Sequence, residues 1–196
     1  MIDIKFDSKT LEISLKAAPK EVLAAARSAV RRAAQAGGTQ LSKSIKAVSY
    51  LKGGDIKGAL LKPTLRNIPG GLMAEVRVRG NAIPLEHYKV KPMRETARKG
   101  QQSRNWKSPT YQLGPAEPEY QLKRHGNVSA GFLARMRSGK LMFMQRHGKK
   151  LRRAYGVSPQ YFAAFDATKQ AVMRRVREVF PARLQHEIYR RLGKLA

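Results

Sequence analysis

The sequence predicts an α+β fold with helices at both ends of the chain and two β-hairpins between them. Apolar residues recur at helical spacing near the N-terminus and after Pro159, but in the middle of the chain they alternate with polar residues. Glycine-containing turns separate the alternating segments, which is typical of antiparallel hairpins. We therefore expect N-terminal helices, two hairpins forming a small antiparallel sheet, a long basic arm and a long kinked C-terminal helix. A single domain over 1–196 is expected.

The N-terminal third begins with strand chemistry and continues as helix. Residues 2–6 alternate in polarity, which predicts a short strand, and a capped helical turn is expected over 7–15. Pro19 suits the first position of a helix. Gly37-Gly38 is expected to weaken or break this helix, because each Gly costs about 1 kcal/mol relative to Ala. Helix should then resume from 39 to 49. The helical stripe consists of Val22, Ala26, Ala29, Ala33, Leu41, Ile45 and Val48.

The next segment combines a short helix with the first hairpin. Gly53-Gly54-Asp55 predicts a turn and an N-cap for a helix that ends before Pro63. Residues 65–68 and 72–78 predict two strands, the second with clear alternation. The Pro69-Gly70-Gly71 turn between them indicates a hairpin.

Residues 89–120 differ from the rest of the chain. They are rich in Lys, Arg, Gln, Ser and Pro, and aliphatic residues are scarce. Such a stretch buries too little apolar surface to order itself. It is interpreted as a long loop or arm, or as an extended hairpin that orders on assembly.

Residue patterns typical of β-strands occur again after this arm, and the C-terminal helix follows them. Segments 132–136 and 141–145 flank Ser138-Gly139, which predicts the second hairpin, and 148–155 is expected to be a basic loop. Ser158-Pro159 provides a cap and a first helical position. Pro181 is expected to kink or break the helix.

The charge balance indicates a negatively charged partner. The chain has 40 Lys and Arg, 13 Asp and Glu and a net charge of +27, whereas ordinary small domains carry a net charge of magnitude about 2–8. Nucleic acid, an acidic protein surface or an anionic membrane would relieve the repulsion. The excess is concentrated in residues 121–196, which hold 18 basic and 3 acidic residues.

Several classes of chemistry have no support in the sequence. There is no cysteine, so disulfides and thiolate sites are excluded. No two of the four histidines stand at i, i+4, and no phosphate-binding glycine loop or Gly-x-Ser-x-Gly elbow occurs. We expect no catalytic residues, no metal and no cofactor, and therefore no enzyme. Neither a signal peptide nor a membrane span is expected.

The candidate contact residues are basic side chains in the arm, near loops and hairpin ends, and on the last helix. Trp106 in the arm is interpreted as a protein contact rather than as a stacking platform for nucleic acid. The candidates for partner or DNA contact are Arg98, Lys99, Arg104, Trp106, Lys107, Lys123, Arg124, Arg135, Arg137, Lys140, Arg146, Lys149, Lys150, Arg152, Arg153, Arg174, Arg177 and Arg191.

Four segments in order resemble the phage minor tail protein Z family. Segment 131–140, followed by Phe143 and Arg146, resembles the core signature of that family, and 151–159 resembles its step into the last helix. Two earlier landmarks are Val48-x-x-Leu51-Lys52 with Asp55-Ile56, and Ile83-Pro84-Leu85 with Tyr88. The resemblance covers roughly 17–192. The chain departs from the family pattern at Arg152-Arg153, where Pro-Ile is usual, and at Val157, where Pro is usual.

The resemblance implies a tail completion protein of long-tailed, lambda-like phages. Such a protein lies in the virion at the head-proximal end of the tail, near the neck, after assembly in the host cytoplasm, and it enables head–tail joining and DNA passage. The resemblance implies a homo-oligomeric ring, expected to be hexameric. Its expected neighbours are a tail terminator or tail tube protein, a head-completion or connector protein and the tape measure protein, with genomic DNA in the lumen and no membrane. The alternative is a free nucleic-acid-binding or packaging protein.

Overall fold

A computed structural model describes residues 2–7, 20–68, 71–93 and 108–192. It confirms the α+β class, with a long helix near each end and small antiparallel sheets. The chain divides into two compact units. The first comprises 1–45, 56–80 and 160–196, and the second comprises 46–55 and 81–159.

The first long helix, α1, runs without a break over Lys20–Val48. The expected interruption at Gly37-Gly38 is therefore wrong. Gly37 is buried, and a Cβ added at Gly38 would contact the Val76 side chain at 3.8 Å. Gly37 and its neighbours Ala33, Ala34 and Leu41 are buried, and this tertiary packing outweighs the low helix propensity of the two glycines. The predicted turn over 7–15 lies mostly outside the described residues.

The sheet of the first unit contains β1 (Ile2–Asp7), β2 (Thr64–Ile68) and β3 (Gly71–Val78). Both outer strands pair antiparallel with β3, giving the order β1-β3-β2. The predicted N-terminal strand and the first hairpin are thus confirmed. Leu72, Ala74, Val76 and Val78 are buried, as the alternation predicts.

A short helix, α2, spans Gly53–Ala59, so Asp55 lies inside its first turn. The predicted short helix is confirmed, but Gly53-Gly54-Asp55, expected to form the turn and N-cap before it, lies inside it. A carboxylate in the first turn is still favourable there, because it faces the positive end of the helix dipole.

The second unit contains a sheet built from both ends of the expected arm. A 3₁₀ turn at Leu85–His87 leads into β4 (Lys89–Lys91), which pairs with β5 (Thr110–Gln112), and β5 pairs with β6 (Tyr120–Gln121). The described ends of 89–120 are therefore strands of an extended hairpin rather than a loop. They are ordered because Val90 and Pro109 are buried and the rings of Tyr111 and Tyr120 stack, with centroids 5.6 Å apart.

The second unit also contains β7 (Phe132–Arg135), β8 (Leu141–His147) and β9 (Lys150–Arg153), in the order β7-β8-β9. The second hairpin is confirmed, but the two predicted hairpins lie in separate sheets rather than in one. The basic loop expected over 148–155 is wrong for 150–153. Gly148 adopts a positive φ of 57°, which lets the chain turn back tightly and pair β9 with β8.

The C-terminal helix is interrupted earlier than expected. α3 (Pro159–Ala163) ends before α4 (Asp166–Leu192), and α4 continues through Pro181. The break expected at Pro181 is therefore displaced to 164–165. The Ala164 N–H bonds to the carbonyls of both Gln160 and Tyr161, a tightening typical of helix ends. The rings of Phe162 and Phe165, 5.9 Å apart, pack edge to face across this break.

A buried carboxylate on α4 stabilises the first unit. Glu187 is 6% exposed and accepts a hydrogen bond from the Arg190 guanidinium at 2.7 Å. That bond lowers the pKa of Glu187, and a hydrogen bond from Ser28 on α1 lowers it further. Arg191 bonds to Glu21 at 3.3 Å. The C-terminal end of α4 is thus joined to the beginning of α1.

Close packing in the second unit gives a direct test of the fold. A Cβ at Gly131 would overlap the Phe143 ring, which is fully buried. Gly131→Ala should therefore lower the free energy of unfolding by about 1–3 kcal/mol, measured by denaturant titration. Gly54→Ala is the matched control, because a Cβ there meets nothing within 4 Å. Equal stability of the two variants would contradict the packing described.

Candidate polyanion-binding surface

The second unit is organised around one carboxylate, Glu86, which is 6% exposed. Its Oε1 accepts hydrogen bonds from Arg153 Nε at 2.7 Å and Nη2 at 2.5 Å. Its Oε2 accepts the backbone N–H of Phe143 at 3.3 Å. Glu86 therefore joins the 3₁₀ turn to β8 and β9, and Arg153 has a structural role.

The backbone continues this junction over 83–88 and 154–157. The Leu85 N–H donates to the Ala154 carbonyl at 3.1 Å, and the Gly156 N–H donates to the Ile83 carbonyl at 2.8 Å. The Tyr88 hydroxyl donates to the carbonyl of residue 157 at 2.5 Å. Burial raises the pKa of Tyr88, and the Asp55 carboxylate raises it further, so the hydroxyl stays protonated as this bond requires.

The segment after α1 also packs within this unit. Asp55 Oδ2 lies 2.9 Å from His87 Nδ1, and the Tyr50 N–H donates to the Leu113 carbonyl at 2.9 Å. Gly114 lies so close to the Val48 carbonyl that a side chain there would clash. The four landmark segments of the resemblance therefore converge on one packed core.

The C-terminal part of this unit is strongly cationic. Segment 121–159 contains ten Lys and Arg and no Asp or Glu. Two tight turns lie side by side within it, at 125–128 and 147–150. Gly126 and Gly148 hold the first central positions with φ of 50° and 57°, as in type II′ turns. The Gly148 N–H donates to the Asn127 carbonyl at 2.9 Å, which links the two turns.

The predicted contact residues fall into several groups. Arg153 and Arg191 form ion pairs within their own units, with Glu86 and with Glu21 and Glu187. Arg135 is exposed and donates to the Gly139 carbonyl of its turn. The remaining described candidates are exposed: Lys123, Arg124, Arg137, Lys140, Arg146, Lys149, Lys150, Arg152, Arg174 and Arg177. Arg98, Lys99, Arg104, Trp106 and Lys107 lie outside the described residues.

The candidates on α4 do not form a single set. Arg174 and Arg177 line one shallow groove of about 770 Å³, together with Asp166 and Glu178. The carboxylates partly balance the charge there. Arg191 does not line this groove.

Three further residues of the segment after Tyr120 were not predicted from the sequence. His125 and His147 lie at the two turns, and Tyr155 follows β9 with 56% of its surface exposed. His147 pairs directly with Lys150, which becomes apparent only once β9 is known to be a strand. Gly126 and Gly148 were the sequence feature that could have predicted these two turns.

The described residues provide neither a metal site nor a membrane-spanning helix. Within the described ranges, no group of three or more His, Asp or Glu is arranged to hold a metal ion. No helix in this part of the chain combines the length and apolar character needed to cross a bilayer.

No protein-family model matches the chain, and neither a curated protein nor a solved structure matches it significantly.

The contacts of Glu86 predict that a conservative substitution of this residue lowers the stability of the protein. Glu86→Gln keeps the shape of the side chain but removes the charge that pairs with Arg153, so unfolding should become easier by about 2 kcal/mol. Glu178→Gln on α4 is the control, because its pair with Arg175 is exposed and should contribute well under about 1 kcal/mol. Thermal melts of both variants check this, and a Glu86→Gln melt matching wild type would exclude the proposed junction.

Proposed function

We propose that this chain is a virion structural protein, a tail completion protein that forms a ring at the head-proximal end of a phage tail. One observation supports the proposal above the others: the segments that resemble the minor tail protein Z family converge on one core. In that core, Phe143 contacts both Glu86 and Ala154 directly. Gly156 contacts the core through neighbouring residues. This arrangement gives the four segments one shared structural role, as expected for the core of a family.

The C-terminal helix supports assembly into a homo-oligomer. α4 has 27 residues, and in helical geometry it is about 40 Å long. From 173 to 186 it has no buried side chain, although Val176, Val179 and Leu184 form a half-exposed apolar stripe. A helix this long depends on tertiary packing for most of its stability. Neighbouring copies in a ring would cover the stripe.

The charge supports a location beside a polyanion. Six copies in a hexameric ring would carry about +160 at neutral pH. Such a ring is disfavoured unless acidic neighbours or DNA offset the repulsion. The neck offers both, in the connector and tail tube proteins and in the genome end.

A free nucleic-acid-binding or packaging protein is the second candidate. The segment 121–165 without acidic residues favours it, because such a surface needs no ring to attract nucleic acid. The two candidates differ in what the phage needs, since only a tail completion protein is required for joined particles.

A nonsense codon at Tyr50 in the phage that encodes the chain tests the proposal. In a non-suppressing host we expect DNA-filled heads and finished tails to accumulate separately or in unproductive pairs, with a collapse of the infectious titre. Particles are counted by electron microscopy. A host that inserts Tyr at the codon is the matched control and should restore joining. A normal titre without the protein would overturn the proposal.

A further inference from the structure

One face of the second unit carries histidine, lysine and arginine side chains in a row. His125 pairs with Val128, Val128 pairs with His147, and His147 pairs with Lys150. Directly opposed residues of an antiparallel sheet project to the same face, about 5 Å apart. The next pair of β8 and β9 on the same face is Gln145 with Arg152, two residues further along each strand. The cationic face is defined here as His125, His147, Lys150 and Arg152.

Nothing in the local sequence neutralises this face. His147, Lys150 and Arg152 lie within 121–165, which holds no carboxylate, and the Arg153 guanidinium is already paired with Glu86. Lys150 and Arg152 are two residues apart on β9 and therefore project to the same face. The repulsion between their positive charges is relieved when an extended anion lies across that face.

The face also has a shape that suits a chain-like ligand. An open groove of about 530 Å³ is lined by basic, polar and apolar residues: Leu122, Gln145, His147, Arg152, Arg153, Ala154 and Tyr155. Tyr155 is 56% exposed. A cationic groove beside an exposed aromatic ring is the combination that contacts phosphates together with sugars or bases.

We propose that the cationic face binds the phosphodiester backbone of nucleic acid without sequence preference. Protein interfaces are depleted in Lys and centred on apolar anchors, whereas this region is Lys-rich, with Lys123, Lys149 and Lys150 exposed around it. Phosphate contacts are made chiefly by Lys and Arg. The inference deepens the proposed function and rests on it for its setting, in which the ligand is the genome end in the ring.

The double variant Lys150→Gln/Arg152→Gln of the full chain tests this inference. Binding of a short fluorescent duplex and of a single strand of equal length is measured by anisotropy from about 50 to 200 mM salt. Loss of two phosphate contacts should weaken binding on the order of 10-fold. It should also reduce the slope of log K against log salt by about 1.8 for duplex, or about 1.4 for single strand.

The control variant is Arg137→Gln/Lys140→Gln. It removes one Arg and one Lys that are also exposed, at the turn between β7 and β8 of the same sheet. It should leave affinity and slope close to wild type. The charge-preserving variant Lys150→Arg/Arg152→Lys should bind normally, which separates the role of charge from any effect on β9 pairing.

Three outcomes would overturn the inference. One is equal weakening by the test and control variants, because binding would then follow net charge alone. Another is absence of binding to either nucleic acid. The third is binding of polyglutamate, but not of DNA, through Lys150 and Arg152, which would assign the face to an acidic protein. The nonsense-codon experiment does not depend on this assay, so either proposal can fail alone.

Discussion

The large excess of positive charge determines where this chain can place its few carboxylates. With 40 basic and 13 acidic residues, the chain has few carboxylates to distribute. Among the described residues, the buried charged side chains are Glu75, Glu86 and Glu187, and each contacts at least one arginine. The scarce acids therefore stabilise the two cores, and most cations remain at the surface.

This division explains why the two units have different surfaces. In the first unit, carboxylates such as Asp166 and Glu178 lie among the arginines of α4 and moderate its charge. In the second unit, the Glu86 carboxylate is buried in the core. The part of this unit after Tyr120 contains no Asp or Glu to offset its Lys and Arg residues. We therefore expect a polyanion to bind the second unit more favourably than the first.

The sequence predicted the fold class and most strands, because alternation and helical stripes directly reflect burial. It failed where tertiary packing outweighs local preference. Gly37-Gly38 does not break α1, because burial of the helix face around Gly37 compensates for two poor helix formers. β9 was missed because its residues are mostly exposed and lack the alternation of a half-buried strand.

The candidate surface was predictable only in outline. Charge counting identified the region after residue 120, but it could not separate Arg153, which pairs with a glutamate 67 residues away, from the exposed Arg152. That distinction depends on which face of β9 meets Glu86, and therefore on the register with β8. The cationic face likewise depends on pairing between two turns that are distant in sequence.

Electron cryomicroscopy of the neck provides the decisive measurement for the proposed ring. We expect a closed ring of copies of this chain between the head connector and the first ring of the tail tube, with α4 contacting a neighbouring copy. A neck reconstructed at side-chain detail without density for this chain would show that the proposal is wrong.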